Sequence, residues 1–176
     1  MRVVAGEYGG RRLHAPAGRS TRPTADRVRE ALFSILGDVS GACVLDLYAG
    51  SGALGIEALS RGAAGAEFVD SGRLAVEAIR RNLAELEIQA PVHRRDALAW
   101  LAAAGTVRTY DLVFCDPPYD SAARLALPLS ERLPAILSDS ARIVTESDKR
   151  SPLELAFPLM RERTYGDTRL AVHRGG

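Results

Sequence analysis

The chain has 176 residues, of which 47% are apolar and 26% charged, a composition typical of one soluble globular domain. No apolar run approaches the roughly 18 residues that span a membrane, and the first residues lack the apolar stretch of a signal peptide, so we expect a cytoplasmic protein. The formal net charge is only +1, yet seven arginines fall within residues 1–29. That basic segment favours a polyanionic partner, although a solvated tail would have the same composition.

The first residues predict a small β-hairpin, with residues 3–5 and 12–13 on either side of Gly9-Gly10. Residues 15–23 have the turn-rich composition of a linker. Thr24 has the chemistry of a helix N-cap, and the apolar spacing of residues 28–36 predicts the helix that follows.

From residue 43 to residue 146, short apolar runs alternate with segments of helical spacing. The predicted strands are 43–47, 66–70, 91–94, 110–115 and 141–146, and the predicted helices are 53–60, 73–86, 97–104 and 125–137, the last interrupted by Pro128 and Pro134. Two further strands, 160–165 and 169–174, would form a hairpin around Gly166-Asp167. The order predicts a doubly wound α/β sheet of parallel strands to which the hairpin adds an antiparallel strand. We therefore expect ligands at the carboxyl ends of the strands.

The cysteines and histidines predict neither a disulfide nor a metal site. Cys43 would open one strand and Cys115 would close another, which separates them by about 10 Å or more at roughly 3.3 Å per residue. We predict two free, buried thiols. The three histidines do not pair with either cysteine at metal-ligand spacing.

A glycine-rich segment, 46–55, follows the first main strand and opens a helix. Glycines there let the main chain approach a ligand closely, and the amides of the helix start would face that ligand. The spacing of Gly50, Gly52 and Gly55 also fits a dinucleotide site. Asp46 would repel a pyrophosphate, however, and would attract a sulfonium cation that carries an amino group. A tight turn without a ligand is the simpler alternative.

Two acidic residues follow the next strands. Asp70 ends the second main strand, where a carboxylate can accept both ribose hydroxyls of a nucleoside or can cap the next helix. Asp96 could accept an adenine amino group, cap the helix that follows, or do both.

Asp116-Pro117-Pro118-Tyr119 directly follows the fourth strand. An exocyclic base amine is a poor nucleophile because its lone pair is delocalised into the ring. The Asp116 carboxylate and the Pro117 carbonyl could accept its two hydrogens, hold it toward a methyl donor and stabilise the positive charge that develops on nitrogen. The prolines fix the main chain, and Tyr119 could stack on an extruded base. A polar turn with a chance Pro-Pro pair would leave Asp116 and Tyr119 unexplained.

Together these motifs resemble the amino-methyltransferase branch of the S-adenosylmethionine-dependent methyltransferases. With segments 22–30 and 165–168 included, the chain is similar over nearly its whole length to the small bacterial 16S ribosomal RNA guanine-N2 methyltransferases. The resemblance implies a seven-stranded Rossmann-like methyltransferase sheet with an antiparallel last strand. It would form a domain over residues 24–176, preceded by a basic extension over residues 1–23.

The resemblance also implies roles for individual residues. The catalytic element would be Asp116, Pro117, Pro118 and Tyr119. S-Adenosyl-L-methionine would be held by Asp46, Tyr48, Ala49, Gly50, Ser51, Gly52, Asp70, Asp96, Ala97 and Asp116. The substrate, 16S ribosomal RNA or a small-subunit assembly particle, would be bound by Arg11, Arg12, Arg22, Thr24, Arg27 and Tyr119. Where the family usually has Glu, this chain has the shorter Asp70, which predicts a weaker ribose contact. We expect a monomer that uses no metal.

Four other functions would each account for part of these sequence motifs. A DNA amino-methyltransferase acting on adenine N6 or cytosine N4 would use the same Asp-Pro-Pro-Tyr chemistry, but such enzymes generally carry a larger target-recognition region. A cytosine-C5 methyltransferase needs a nucleophilic cysteine, usually after proline, which Cys115 lacks. An NAD-dependent oxidoreductase would leave Asp46 and the Asp-Pro-Pro-Tyr element unexplained. A non-catalytic RNA-binding module would account for the arginines alone.

Overall fold

The computed structural model describes residues 1–16, 26–105 and 109–175. Within them lies a seven-stranded sheet with the order β3-β2-β1-β4-β5-β7-β6. Its strands are β1 (Cys43–Leu47), β2 (Gly65–Asp70), β3 (Val92–Arg94), β4 (Tyr110–Cys115), β5 (Leu137–Asp148), β6 (Leu159–Tyr165) and β7 (Thr168–Arg174). The first five pair in parallel, and β7 runs antiparallel to both β5 and β6. The predicted sheet with an antiparallel last strand is confirmed.

Helices cover both faces of the sheet. They are α1 (Asp26–Leu36), α2 (Ala53–Ser60), α3 (Arg73–Glu85), α4 (Ala97–Ala104) and α5 (Ala122–Arg132). One apolar layer joins α1, α2 and α3 to alternate strand residues such as Phe68 and Phe114. The other joins α4 and α5 to the intervening residues, such as Val69 and Val113. Because successive strand residues point to opposite faces, β1, β2, β4 and β5 each contribute to both layers. None of the helices in the described ranges has the length and apolar character that a membrane span requires.

The two elements that differ most from the sequence prediction are β5 and the last helix. β5 begins at Leu137, four residues before the predicted start. The apolar pattern did not indicate this first part because it is polar, and it lies beyond an irregularity in the pairing of β5 with β4. Ser138 Oγ donates to Asp111 Oδ1 at 2.7 Å there. The predicted last helix divides into α5 and a short 3-10 turn, Leu133–Ile136, where Pro134 follows the turn's first residue. Pro128 is accommodated inside α5.

The predicted N-terminal hairpin is present and packs against α2. Arg2 and Arg12 form an antiparallel bridge, and Val3 and Leu13 are buried in the first apolar layer. Residues 1–13 are therefore part of the folded unit. The predicted N-cap at Thr24 and the predicted domain boundary between residues 23 and 24 lie outside the described residues, and both stay predictions.

A buried carboxylate fixes this hairpin. Glu57 on α2 is fully buried and accepts hydrogen bonds from the backbone amides of Val4, at 2.7 Å, and Ala5, at 3.0 Å. Its oxygens also lie 2.8 Å from Arg61 Nε and 3.5 Å from Arg29 Nε. One side chain therefore joins the hairpin, α1 and α2 through charge-assisted contacts.

The positions of Arg29 and Cys43 differ from what the sequence predicted for them. Arg29 belongs to the basic N-terminal segment, but it is fully buried and bonded to Asp26 Oδ1 at 2.9 Å and to the Arg2 carbonyl, so it is not accessible to a polyanion. The prediction that both thiols are buried is wrong for Cys43, which is exposed, whereas Cys115 is buried. Cys43 is the first residue of β1 and lies at the amino edge of the sheet, where the layers no longer cover it.

We expect Glu57→Ala to lower the free energy of unfolding by about 3–5 kcal/mol, because it removes one carboxylate from the buried Arg29 guanidinium and leaves the amides of Val4 and Ala5 without their acceptor. Equilibrium urea unfolding measures the change. Glu77→Ala is the matched control, since it removes an exposed pair with Arg73 at 2.6 Å and should change stability little. Equal effects of the two substitutions would contradict the role assigned to Glu57.

Candidate active site

The strand order reverses between β1 and β4, and the crevice beyond their carboxyl ends is where an open α/β sheet binds ligands. Both chemical motifs of the sequence fall there. The glycine-rich loop leaves β1, and Asp116-Pro117-Pro118-Tyr119 leaves β4, its immediate neighbour. Pro117 is buried and Pro118 is exposed, while the side chain of Tyr119 lies outside what the structure describes.

Asp46 lies at the base of this crevice. It is 2% exposed, and its Oδ2 accepts the backbone amide of Gly55 at 2.9 Å. Burial raises the pKa of Asp46 to about 8; the Gly55 hydrogen bond opposes this rise and the charge of Asp70 adds to it. A cation beside Asp46 would favour the ionised carboxylate, so its binding near neutral pH would release the proton that Asp46 otherwise holds.

The glycine loop has the close packing that a ligand cradle requires. Gly50 and Gly52 have φ values of 58° and 77°, in the left-handed region that favours glycine. At Gly55, an added Cβ would lie 2.4 Å from Cε1 of Phe68, which excludes any larger residue. Ser51 is buried, and its carbonyl accepts Asn82 Nδ2 of α3 at 2.9 Å.

Tyr48 adopts a left-handed conformation that is rare for a residue with a side chain, with φ at 59°. Such strain is concentrated at functional sites. Its buried hydroxyl has no hydrogen-bond partner in the described part of the chain. Burial raises the pKa of Tyr48, and the charges of Cys115, Asp96 and Arg124 also act on it. The Tyr48 hydroxyl could therefore donate a hydrogen bond to a polar group of a bound ligand.

Asp70 ties the glycine loop to the end of β2. Its Oδ2 accepts the Gly50 amide at 2.9 Å, and its Oδ1 accepts the Gly72 amide at 2.7 Å. Gly72, not Asp70, is the N-cap residue of α3. A carboxylate has about four acceptor positions, so Asp70 can hold the loop and still accept ribose hydroxyls.

Asp96 is the N-cap of α4, because its Oδ1 accepts the Ala99 amide at 2.9 Å. This agrees with one of the two roles considered for it. Asp96 is exposed, whereas Ala97, the first residue of α4, is buried. The exposed carboxylate keeps acceptor positions for an adenine amine, and that role stays a prediction.

Asp116 is partly exposed and has carboxylates as neighbours on both sides. Its pKa is raised well above the usual value, first by burial, then by the charge of Glu146 and then by that of Asp46. Glu146, near the end of β5, is 4% exposed and was not among the predicted site residues. Its acidic side chain at a strand end, as at Asp70, was the signal in the sequence.

The structure describes the side chains of three of the predicted substrate residues, Arg11, Arg12 and Arg27. Arg11 donates to the Glu85 carbonyl at 2.7 Å, at the end of α3 that lies away from Asp70. Arg12 and Arg27 are exposed. Arg22 and Thr24 lie outside the described residues. Arg12 and Arg27 could therefore contact an extended ligand at the surface.

A model of the family described as "Conserved hypothetical protein 95" matches residues 1–174. The chain belongs to this family.

Several known proteins are similar to it over nearly its whole length. A candidate rRNA methyltransferase of Bacillus subtilis is 40% identical over 99% of this chain and 98% of its own. "Ribosomal RNA small subunit methyltransferase D" of Escherichia coli K12 is 38% identical, covering 99% of this chain and 89% of its own. The solved structure of a candidate methyltransferase of Escherichia coli is 35% identical, with a TM-score of 0.82 over 99% of this chain and 97% of that one. The methyltransferase fold and the family inferred from the sequence are confirmed.

S-Adenosylmethionine, the methyl donor of this class of enzymes, fits the residues of the crevice. Asp46 offers a buried carboxylate to a cation, Asp70 offers acceptors to a ribose, and the Tyr48 hydroxyl is an unsatisfied donor. Four carboxylates, those of Asp46, Asp70, Asp116 and Glu146, would oppose a pyrophosphate.

The raised pKa of Asp46 predicts how stability depends on pH. Since the folded state binds a proton between pH 3.8 and about 8 that the unfolded chain releases, unfolding free energy falls as pH rises through that window. The slope is at most about 1.4 kcal/mol per pH unit. Urea unfolding from pH 5 to pH 8 should show this fall relative to Asp46→Asn, which cannot titrate there. Parallel profiles for the two proteins would refute the assignment.

Proposed function

We propose that this chain transfers a methyl group from S-adenosylmethionine to the exocyclic N2 amine of a guanine in 16S ribosomal RNA. The observation that carries the proposal is the position of Asp116, at the strand-order reversal and beside the glycine loop of β1. The relatives named as ribosomal RNA methyltransferases support the RNA substrate.

The residues that would hold the cofactor surround the loop of β1. Asp46 would attract its cationic end, and the main chain of Gly50 and Gly52 would line its path. Asp70 would accept its ribose hydroxyls, and Asp96 with Ala97 would contact the adenine. The cofactor supplies an electrophilic methyl group on a sulfonium. Asp70 accepts two backbone amides. The same carboxylate would therefore hold the loop in place and bind the ribose.

The chain would activate the amine by position and charge. The Asp116 carboxylate and the Pro117 carbonyl would each accept one amine hydrogen and hold the nitrogen lone pair toward the methyl group. As the N–C bond forms and the bond between the methyl carbon and sulfur breaks, positive charge develops on nitrogen and would be stabilised by Asp116. The methylated amine would then lose a proton to Asp116, whose raised pKa makes its carboxylate a stronger proton acceptor than an ordinary one.

The alternatives fit less well. Cys115 is buried, and burial together with the charges of Asp46 and Asp116 raises the pKa of its thiol, which opposes the nucleophilic thiolate of a C5 methyltransferase. The acidic crevice opposes the pyrophosphate of a dinucleotide. A DNA amino-methyltransferase would share the chemistry, and the relatives favour RNA.

Mass mapping of 16S ribosomal RNA nucleosides tests the proposal. RNA from cells that lack the protein should lose one N2-methylguanine, and purified protein with labelled S-adenosylmethionine should restore it. Loss of a different modification would refute the assignment to guanine N2, and no change in the small-subunit RNA would refute the substrate.

We expect Asp116→Ala to lower the rate of methyl transfer by at least about 100-fold, because it removes the acceptor that stabilises the charged amine. Calorimetry should show that S-adenosylmethionine still binds, since the loop of β1 is unchanged. Asp120→Ala, four residues on and exposed, is the matched control and should stay active. Full activity of the Asp116 variant would exclude the proposed mechanism.

The exposed arginines predict a salt-dependent RNA affinity. If Arg12 and Arg27 contact phosphates, the double substitution to Gln should weaken RNA binding and reduce the slope of log K against log salt by about two. Filter binding at several salt concentrations measures this slope. Arg80→Gln, an exposed arginine on α3, is the control, and an equal slope in wild type and double variant would exclude these contacts.

A further inference from the structure

Glu146 lies beside the reacting element, on the side away from the glycine loop. In the pairing of β4 with β5, Cys115 is opposite Thr145, so Asp116 and Glu146 follow at the same level of adjacent strands. Neighbouring strands are about 4.8 Å apart. Glu146 is on the same face of β5 as Val144, and its charge acts on Asp116 more strongly than that of Asp46 does.

The three bases with an exocyclic amine differ at the ring nitrogen next to it. In guanine, the N2 amine lies between N1–H, which is a hydrogen-bond donor, and N3, which is an acceptor, so guanine can present the donor side of its amine. In adenine and cytosine, the amine adjoins an unprotonated ring nitrogen, which is an acceptor. A carboxylate only accepts hydrogen bonds, so it attracts the first arrangement and repels the second.

We propose that Glu146 accepts the N1–H of the target guanine while Asp116 accepts its N2 amine, and that Glu146 thereby selects guanine over adenine and cytosine. The inference rests on the proposed methyl transfer to a base amine and adds the residue that determines the base. Glu146 is a binding residue for the edge of the base, and Asp116 remains the group at the reacting atom.

The arrangement also explains how two neighbouring carboxylates can serve one substrate. Glu146 and Asp116 repel each other when no donor lies between them. Guanine brings three hydrogens to this edge, two on N2 and one on N1, so the Pro117 carbonyl and both carboxylates each receive one. Adenine or cytosine brings only two and places a lone pair against Glu146, an arrangement that a site built for a donor rejects strongly.

The experiment uses small ribosomal subunits reconstituted with 16S ribosomal RNA that carries either guanine or 2-aminopurine at the mapped nucleotide. 2-Aminopurine keeps the 2-amine but has an acceptor at N1. Wild-type protein should prefer the guanine particle in kcat/KM by about 10- to 100-fold or more. In Glu146→Gln, whose amide can donate to N1, the preference should fall by at least about 10-fold. Thr145→Val, at the neighbouring position on the opposite face of β5, should keep the wild-type preference.

The ratio of rates separates recognition from stability, because a partly unfolded variant loses activity on both particles equally. The absence of O6 from 2-aminopurine affects all variants alike and cancels in their comparison. An unchanged preference in Glu146→Gln, a folded Gln variant inactive on both particles, or a wild-type protein without preference would each overturn the inference. Failure of the wild type to methylate the guanine particle would instead refute the proposed function itself.

Discussion

The reversal of strand order at β1 and β4 is the constraint on which the site depends. Each of the parallel strands β1–β5 delivers the residue after its carboxyl end to the same edge of the sheet, and only at this reversal do the following segments diverge and leave a crevice. The reversal brings together the Asp46 loop and Asp116 from positions 70 residues apart in the chain. The acidity of the crevice follows from this convergence, since carboxylates stand at or near the ends of β1, β2, β4 and β5.

These carboxylates differ in burial, in hydrogen bonding and in the charges near them, and for that reason we assign them different roles. Asp70 is bonded to two backbone amides and shows how a charged group can organise a loop. Asp46 has one such bond and is buried, so its ionisation is costly until a cation arrives. Asp116 lies between charges and is partly exposed, which suits a group that meets a substrate and exchanges a proton. One acidic edge anchors a loop and, under the proposed function, would also provide a cation site and a proton acceptor.

Much of the fold and of the cofactor side of the crevice could be predicted from the sequence, because local patterns encode them. Apolar runs located all seven strands, and Asp46, Asp70 and Asp116 stand at strand ends next to turn residues. Glu146 was missed because it lies near the end of a strand without a motif beside it, and its proximity to Asp116 depends on β5 pairing with β4. Glu57 and Arg29 were missed because charged residues in a helical pattern normally face water, and a hairpin more than 50 residues away in sequence buries Glu57.

The contact between the hairpin and Glu57 also affects how the protein is made. Residues 1–13 leave the ribosome before α2 does, and the side chain that accepts the amides of Val4 and Ala5 is synthesised 53 and 52 residues after them. A two-stranded hairpin alone is marginally stable in water, so this segment must wait for α2 before it can be held in place. The hairpin therefore becomes anchored only after a segment more than 50 residues further along the chain has been made.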